Sequence, residues 1–244
     1  MKQPADNEIK FGDRTFEGVP KHVAIICDGN RRYAEKHGLS VQEGHAKGAE
    51  NVLELAKRAG ELGVHTVTVW VGDTKNIKKR SKEEVRNLLK LLLHYLMRFK
   101  KEFLDQDIRF RHIGARKFLP KKIVNLINEL EAETAEKKTA TLNIAFNYGG
   151  RDEIVRVVQK IVADGIDPED ITEELISEYL DTADIGDPDM IIRTGNEIRL
   201  SGFMPWQSAP AELFFAPDLF PEFTPDRFEE VVREFPTRRR RLGA

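Results

Sequence analysis

The stretch HVAIICDGNRR, residues 22–32, decides the first element of the fold. Residues 23–27 are apolar without interruption, which is typical of a short strand that is buried on both faces. Asp28, Gly29 and Asn30 follow at once, and residues of these types commonly end a strand in a turn. The stretch therefore predicts a buried strand whose carboxyl end carries one carboxylate and two arginines.

On the C-terminal side of this stretch, strand-like and helix-like patterns alternate along the rest of the chain. We predict strands at 22–27, 64–71, 109–113, 139–146, 190–192 and 211–215, and helices at 41–61, 81–99, 120–136, 151–163, 171–180 and 224–234. Strands that are separated by helices pair in parallel through right-handed crossovers, and their helices cover both faces of the sheet. The pattern predicts a single α/β domain over residues 21–244, with a flexible lead-in at 1–20.

Composition narrows the class of protein. The chain has 244 residues, of which 40% are hydrophobic and 33% charged, so it can bury a sizeable core. The formal net charge is -2, which argues against a general affinity for nucleic acid. The apolar runs are too short to span a bilayer, and the start of the chain lacks the apolar core of a signal peptide. One cysteine excludes an internal disulfide. These features predict a soluble cytoplasmic protein.

Three polar clusters follow strand-like segments, at 28–32, 73–76 and 193–201. Ligands of open parallel sheets bind beyond the carboxyl ends of the strands, so we expect the clusters to gather at one edge. Asp28 is either a metal ligand or general base, or a turn-forming aspartate. Arg31 and Arg32 either bind phosphate or belong to a solvated face.

Three further features admit a functional and a structural interpretation. Arg193, Arg199 and Ser201 suit a diphosphate, although a surface loop with ion pairs explains them as well. The Leu-rich helix at 88–99 is apolar nearly all round, so it forms either plain core or the lining of an apolar tunnel. His45 is a base, a diphosphate donor or a packed histidine. Cations beside a long apolar lining would describe a site for a polyprenyl diphosphate.

Three ordered blocks resemble the cis-prenyltransferases, the undecaprenyl diphosphate synthase-like enzymes. HVAIICDGNRRYA, at 22–34, is similar to the opening block H-x-A-x-I-M-D-G-N-x-R-W-A of that family. FNYGGRDE, at 146–153, resembles its central N-Y-G-G-R block. DPDMIIRTGNEIRLS, at 187–201, is similar to its P-D-L-x-I-R-T-G-G-E-x-R-x-S signature. Order and spacing hold from about residue 21 to 243, which makes the match more specific than a single short motif.

The resemblance implies a mostly parallel six-stranded sheet surrounded by helices, and a homodimer. It implies condensation of isopentenyl diphosphate with an allylic prenyl diphosphate, which gives a Z-prenyl or Z-polyprenyl diphosphate and releases diphosphate. It implies Mg²⁺ as the cofactor. It also implies peripheral contact with a membrane when products are long, and no nucleic-acid partner.

Individual roles carry over by position. The resemblance places Asp28 and Asn76 as catalytic residues, with Asn76 close to the reacting centre. It also makes Asp28 a magnesium ligand, with Glu212 completing the metal site across the dimer. Residues that match substrate-binding positions are Gly29, Asn30, Arg31, Arg32, His45 and Lys79 for the allylic substrate or the reacting centre, and Arg193, Arg199 and Ser201 for isopentenyl diphosphate. Arg241-Leu242-Gly243 resembles a C-terminal motif that reaches the neighbouring subunit.

Departures from the family pattern keep other functions open. Asp73, Lys75 and Lys79 replace a serine, a glutamate and an arginine, while Val41 replaces a diphosphate-binding arginine and Ile198 a histidine. The alternatives are an irregular, branching prenyl diphosphate synthase, a non-catalytic partner subunit of a prenyltransferase, and a phosphate-binding α/β protein of another class. Val71, where the family often has alanine, is expected to shorten the product.

Overall fold

A computed structural model describes residues 14–237. Its six strands are β1 His22–Ile26, β2 Thr66–Asp73, β3 Ile108–Ile113, β4 Ala140–Tyr148, β5 Met190–Arg193 and β6 Glu212–Phe215. Its α-helices are α1 Asn30–Lys36, α2 Val41–Leu62, α3 Thr74–Lys79, α4 Lys82–Asp105, α5 Lys121–Glu133, α6 Gly150–Ala163, α7 Glu173–Tyr179 and α8 Pro225–Glu234.

The strands form one six-stranded sheet in the order β3-β4-β2-β1-β5-β6. All five strand pairings are parallel in the described part of the chain. The first strand, β1, lies between β2 and β5, and its five residues are buried. The predicted class, a single α/β domain with a mostly parallel six-stranded sheet surrounded by helices, is confirmed. Because the strands are parallel, every strand ends at the same edge, called here the carboxyl edge.

Helices cover the two faces of the sheet unequally. Apolar residues of α2, α4, α5 and α8 pack on one face and form the larger cluster of buried side chains. On the other face, Phe203 stacks on Trp70 with ring centroids 5.0 Å apart, and Met204 lies in the same cluster. The loop that follows β5 thus supplies core side chains, which fixes its course near the carboxyl edge.

Two long helices begin with reciprocal caps. Ser40 accepts a hydrogen bond from the backbone N–H of Glu43, whose carboxylate accepts one from the Ser40 N–H in return. Ser81 and Glu84 form the same arrangement at the start of α4. Each cap satisfies backbone donors that the first turn leaves free, so the positions of α2 and α4 along the sheet are well defined.

Two short helices near the carboxyl edge were not predicted from the sequence. Helix α1 begins after Gly29, whose φ of 108° lies in the left-handed region that glycine adopts readily. Helix α3 begins after Asp73, whose carboxylate accepts a hydrogen bond from the Lys75 N–H at 3.0 Å. Seven and six residues are too few for an apolar period to show.

The predicted lead-in at 1–20 lies partly outside the described residues. In the described portion, Phe16 and Val19 pack against the core, and the guanidinium of Arg233 lies 4.7 Å from the Phe16 ring centre. The boundary at residue 20 stays a prediction. No helix among residues 14–237 has both the length and the apolar character that crossing a membrane requires.

Candidate active site

The carboxylate of Asp28 lies between two arginines at the end of β1. Its Oδ2 accepts a hydrogen bond from Nη2 of Arg193 at 2.8 Å, and its Oδ1 accepts one from Nη2 of Arg32 at 3.2 Å. The backbone on both sides is held by Thr194, whose hydroxyl donates to the Asp28 carbonyl at 2.8 Å and accepts from the Asp28 N–H at 3.0 Å. The ends of β1 and β5 are therefore joined around one carboxylate.

Arg193 also organises the loop that follows β5. It is 4% exposed, and its Nη1 donates to the Ser201 hydroxyl at 2.7 Å and to the Arg199 carbonyl at 2.5 Å. Gly195 has a φ of 87°, and its carbonyl accepts from Nη1 of Arg32 at 2.7 Å. A Cβ on Gly195 would lie 2.5 Å from the other Arg32 nitrogen, so this position needs glycine. Arg32, Arg193 and Ser201 thus form one cluster with Asp28, as the sequence indicated.

Three other predicted residues point elsewhere. The side chain of Arg199 is exposed and pairs with Glu197, so it joins the cluster only through its carbonyl. Arg31 pairs with Glu84 at 2.5 Å, on the side of α4. Asn30 turns inward, where its Nδ2 donates to the Cys27 carbonyl at 3.3 Å. The arginines at 31 and 32 therefore serve two different parts of the site.

An apolar tunnel opens beside the end of β1. It is a cavity of about 100 Å³ between α2, α4 and the strands β2 and β4. Its lining includes Leu88, Leu91, Leu92, Tyr95, Leu96, Phe99 and Phe103 of α4, together with Cys27, Asn30, His45, Val71, Ile144 and Phe146. The apolar excess of the helix at 88–99 is thereby explained, because part of that helix faces a cavity.

A second cavity, of about 240 Å³, adjoins the tunnel and is called here the basic cavity. Its lining is Arg31, Val41, Gln42, His45, Arg80, Glu84, Asn87, Leu88 and Leu91. His45 lines both cavities, and its Nδ1 lies 2.7 Å from the Val41 carbonyl. Burial lowers the pKa of His45, and the charges of Arg80 and Arg31 lower it further. The neutral imidazole is therefore favoured where the two cavities meet.

Arg80 is a candidate site residue that the sequence analysis did not single out. Among residues 14–237, no hydrogen bond or ion pair to its guanidinium is found. Burial lowers its pKa, as does the charge of Arg31. Its neighbour Lys79, the residue predicted from the motif, is exposed. The charges of Glu84 and Asp73 act on the pKa of Arg80 in the opposite direction. The basic cavity is lined by two guanidinium groups and one carboxylate, that of Glu84, so it has an excess of positive charge that suits an anionic group. The signal available in the sequence was the arginine placed directly after the altered motif at 72–79.

The second polar cluster meets the third at another cavity. This polar cavity, of about 340 Å³, is lined by Asp73, Thr74, Lys75, Gly149, Gly150, Arg151, Asp152, Ser201 and Gly202. Ser201 therefore faces both Arg193 and the start of α3. Asn76 lies exposed on α3. The three clusters that follow the strands do gather at the carboxyl edge, as expected for a parallel sheet.

A family model for undecaprenyl diphosphate synthases matches residues 26–243. The chain belongs to this family. It is a cis-prenyltransferase, an enzyme that acts on isoprenoid diphosphates. The predicted family and function are confirmed, and nothing favours the irregular synthase, the non-catalytic subunit or the unrelated phosphate-binding protein.

Relatives of known name cover nearly the whole chain. An isoprenyl transferase of Thermus thermophilus is 42% identical over an alignment of 246 positions, which covers 97% of this chain and 91% of that protein. A geranylgeranyl-diphosphate-specific tritrans,polycis-undecaprenyl-diphosphate synthase of Pyrococcus abyssi is 42% identical over 234 residues, covering 92% and 87%. A solved lavandulyl diphosphate synthase from Lavandula x intermedia, in complex with dimethylallyl diphosphate, superposes with a TM-score of 0.89 and 36% identity, covering 94% of this chain and all of that one.

The carboxylates near the Asp28 cluster of this cis-prenyltransferase fit a magnesium site that substrate phosphates complete. No group of three or more acidic, histidine or cysteine side chains lies together in the described range 14–237. Asp28 is the single carboxylate of the cluster, and both of its oxygens face cations. Mg²⁺ typically binds through one or two carboxylates plus substrate phosphates. The residues present therefore fit an ion that binds together with a diphosphate.

Glu212 lies far from that carboxylate within one chain. It is the first residue of β6 and stands opposite Met190, whereas Asp28 lies beside Arg193, three residues further along β5. Three residues of strand correspond to roughly 10 Å. Within one chain, Glu212 therefore lies apart from the Asp28 cluster. The role that the resemblance gives it, completing the metal site across a dimer, stays a prediction. The predicted motif at Arg241-Leu242-Gly243 lies outside the described residues.

Proposed function

We propose that this cis-prenyltransferase condenses isopentenyl diphosphate with an allylic prenyl diphosphate, forms a Z double bond and releases diphosphate. The single observation that carries the proposal is the position of Asp28, paired with Arg32 and Arg193, in the turn between Cys27 and Asn30, which both line the apolar tunnel. Cations beside an apolar cavity suit a ligand with an anionic head and a hydrocarbon tail. Both substrates and the product have this character.

The allylic substrate is proposed to lie with its tail in the tunnel. Its diphosphate then meets Arg32 at the cluster, and Arg31 and Arg80 on the side of the basic cavity. Guanidinium groups match the geometry of phosphate oxygens and remain charged at any relevant pH. His45, kept neutral where the two cavities meet, adds a polar contact without adding charge.

The second substrate is proposed to bind on the other side of Asp28. Arg193 and Ser201 already touch there, and the exposed side chain of Arg199 can exchange Glu197 for a diphosphate. Held in this way, isopentenyl diphosphate faces the reacting carbon of the allylic substrate, and such positioning supplies a large share of the rate in bimolecular reactions. The polar cavity beside Ser201, which Asp73, Thr74 and Lys75 also line, borders the same space.

The chemical step needs negative charge to leave the allylic carbon. Arg32 at the Asp28 cluster, and Arg31 and Arg80 at the basic cavity, are proposed to stabilise the departing diphosphate, because preorganised cations act most strongly on charge that develops during the reaction. Asp28 is proposed to hold Mg²⁺ together with diphosphate oxygens. When bound, the ion neutralises charge on the leaving group. Arg193 keeps the Asp28 carboxylate oriented for this purpose.

The assembly is proposed to be a homodimer in the cytoplasm. Its support is the separation of Glu212 from the Asp28 cluster within one chain, since the resemblance places Glu212 at that metal site across the dimer. The apolar side chains of Val155, Val158 and Val162 are more than half exposed along one side of α6, and a contact between chains would cover them.

The proposal is tested by product analysis. The purified chain is incubated with Mg²⁺, isopentenyl diphosphate and each of several allylic diphosphates of increasing length, and products are read by mass spectrometry. We expect products longer than the primer by whole five-carbon units. Products built from allylic diphosphate alone would point to an irregular synthase, and activity only after a second protein is added would point to a partner subunit. Either result would overturn the proposal.

A further inference from the structure

Helix α6 places a fully buried carboxylate next to the loop that follows β5. Glu153 lies in the first turn of α6 and has no exposed surface. Burial raises the pKa of its carboxyl group, because the charged form loses hydration when it leaves water. The helix dipole does not require this residue, since the neighbouring Asp152 supplies an acidic side chain in the same turn. The reason for burying Glu153 therefore lies in what it contacts.

Three neutral donors from three segments of the chain meet at the Glu153 carboxylate. Its Oε2 accepts hydrogen bonds from the Tyr148 hydroxyl at 2.7 Å and from Nε2 of Gln207 at 3.1 Å, and its Oε1 accepts one from the Asp181 N–H at 2.9 Å. Nε2 of Gln207 also donates to the Thr182 hydroxyl at 3.0 Å. Tyr148, Thr182 and Gln207 are each at most 3% exposed. We define Tyr148, Glu153, Thr182 and Gln207 as the Glu153 cluster.

The cluster holds the Gln207 amide in one orientation. Its NH₂ group faces Glu153 and Thr182, and its Oε1 has no hydrogen-bond partner among residues 14–237. An ionised carboxylate accepts hydrogen bonds and donates none, so Glu153 selects the NH₂ side of the amide. Buried polar networks of this kind rigidify the segments that they join. Gln207 belongs to the loop between β5 and β6, which is thereby tied to α6.

The loop between β5 and β6 has a strained course that its surroundings hold. Ser201 and Met204 have φ angles of 55° and 46°, and residues other than glycine stay in this left-handed region only where neighbouring structure fixes them. Phe203, between the two, meets the Tyr148 ring with ring centroids 6.0 Å apart. The Glu153 cluster therefore fixes the loop at two points, through Tyr148 and through Gln207.

The start of α6 also touches this loop through its backbone. The Gly150 N–H donates to the Gly202 carbonyl at 2.9 Å, and a Cβ on Gly150 would lie 1.9 Å from Cδ of Pro205. Because helix and loop are in direct contact, a shift of one displaces the other. Such a shift would carry Ser201 away from Arg193, whose Nη1 lies 2.7 Å from the Ser201 hydroxyl.

We propose that Glu153 is a positioning residue for the second substrate. It holds the loop so that Ser201 and Arg199 present their polar groups to isopentenyl diphosphate. The inference rests on the proposed function, which assigns these two residues to that substrate. Glu153 is enclosed and acts only through the loop, so its loss should weaken binding of isopentenyl diphosphate. The allylic substrate, on the other side of Asp28, should be affected little.

Steady-state kinetics of Glu153→Gln tests the proposal. Glutamine keeps the volume of the side chain but brings an NH₂ group against the donors of Tyr148 and Gln207. The KM for isopentenyl diphosphate should rise roughly tenfold, the value of a hydrogen bond to a charged group, while the KM for the allylic substrate should change less than about threefold. Adding Gln207→Glu should largely restore the first KM, because a carboxylate at 207 accepts from the amide at 153.

A matched control removes a buried hydrogen bond in another part of the chain. Thr134 follows α5 and is fully buried, and its hydroxyl accepts a hydrogen bond from the Phe110 N–H at 3.0 Å. Thr134→Val should lower Tm, as Glu153→Gln does, but it should leave both KM values unchanged. The control therefore separates a general loss of stability from a displaced substrate site.

Trypsin cleavage after Arg199 reports on the loop without any substrate. Arg199 is exposed within the loop, and cleavage of a folded chain depends on how often the segment opens. Glu153→Gln should be cut at Arg199 several-fold faster than the parent chain or Thr134→Val, and the double variant should be cut at nearly the parent rate.

Three results would overturn the inference alone, in a parent chain that consumes isopentenyl diphosphate. They are an unchanged KM for isopentenyl diphosphate in Glu153→Gln, an equal rise in both KM values, and cleavage at Arg199 at the parent rate. A parent chain that consumes no isopentenyl diphosphate would instead overturn the proposed function, and this role of Glu153 with it.

Discussion

Arg193 donates a hydrogen bond to the carboxylate of Asp28 at 2.8 Å, across the ends of the neighbouring strands β5 and β1. The two residues are 165 positions apart in the chain and meet because their strands are parallel neighbours. Arg193 is nearly inaccessible, while the side chain of Asp28 is about one third exposed. The pair therefore presents an oriented carboxylate to the substrate edge.

Replacing Asp28 tests the role of that carboxylate. Asp28→Ala should lower turnover about 10³-fold or more, because loss of a metal-binding group removes several kcal/mol of charge stabilisation. Turnover is measured at saturating substrates, and thermal unfolding shows whether the fold survives. Near-normal turnover in a folded variant would contradict the assignment.

Substitutions of Arg199 and Arg193 should have the same effect on substrate binding but different effects on thermal stability. Either residue changed to Ala should raise the KM for isopentenyl diphosphate roughly 10- to 100-fold, the value of a charged hydrogen bond. Arg193→Ala should also lower Tm, because its guanidinium holds Ser201 and the Arg199 carbonyl, whereas Arg199→Ala should not. A rise in the KM of the allylic substrate instead would mean that the two substrate sites are exchanged.

The adjacent residues Lys79 and Arg80 form a matched pair for the allylic site. Arg80→Gln should raise the KM of the allylic diphosphate roughly tenfold or more, because Arg80 lines the basic cavity. Lys79→Gln should change it less than threefold, since Lys79 is exposed. Steady-state kinetics with a fixed concentration of isopentenyl diphosphate measures both. A larger rise in KM for Lys79→Gln than for Arg80→Gln would support Lys79, the residue predicted from the motif, as the one that binds the allylic diphosphate.

Val71 should limit the length of the product. It lines the apolar tunnel, and its two methyl groups narrow a cavity of about 100 Å³. Space above Gly72 does not compensate, because a Cβ there would lie 2.7 Å from the ring of Phe146. Val71→Ala should shift the product ladder, read by mass spectrometry, toward longer chains. An unchanged ladder would place the limit elsewhere, such as the helix at 88–99.

Two buried histidines predict a loss of stability in mild acid. Burial lowers the pKa of His22 and of His112 to about 4, while an unfolded histidine titrates near 6.5. As pH falls below about 6.5, the unfolded chain takes up protons that the folded chain does not, so the free energy of unfolding decreases until about pH 4. Each imidazole contributes up to about 1.4 kcal/mol per pH unit.

Denaturant unfolding between pH 7 and 5 measures this slope. Over that range the chain should lose stability on acidification, and His112→Gln should reduce the slope by about one proton. A slope that the substitution leaves unchanged would show that His112 takes up its proton as readily in the folded chain as in the unfolded chain.

The sequence predicted the sheet well because the strands are apolar and are bounded by turn residues. β1 and β5 were placed within one residue of their ends, and the three polar clusters were correctly expected at one edge. Helices α1 and α3 were missed because one or two turns show no apolar period. Their presence matters for the site, since α1 carries Arg32 and the end of α3 precedes Arg80.

Side-chain directions were beyond the reach of the sequence. Arg31 and Arg32 are adjacent, yet one pairs with Glu84 and the other with Asp28, because successive residues of a helix point about 100° apart. Lys79 is the last residue of α3 and is exposed, whereas Arg80 follows in extended backbone and lines the basic cavity. The distance between Glu212 and Asp28 follows from strand register, which depends on pairing between distant parts of the chain.

The most direct test of the central claim is a stoichiometric measurement on the purified chain with Mg²⁺. Isopentenyl diphosphate consumed and diphosphate released are counted in the same reaction, with an allylic diphosphate as primer. We expect one diphosphate for each isopentenyl diphosphate, a new Z double bond in the product by NMR, and loss of both signals in Asp28→Ala. Release of diphosphate without consumption of isopentenyl diphosphate would contradict it.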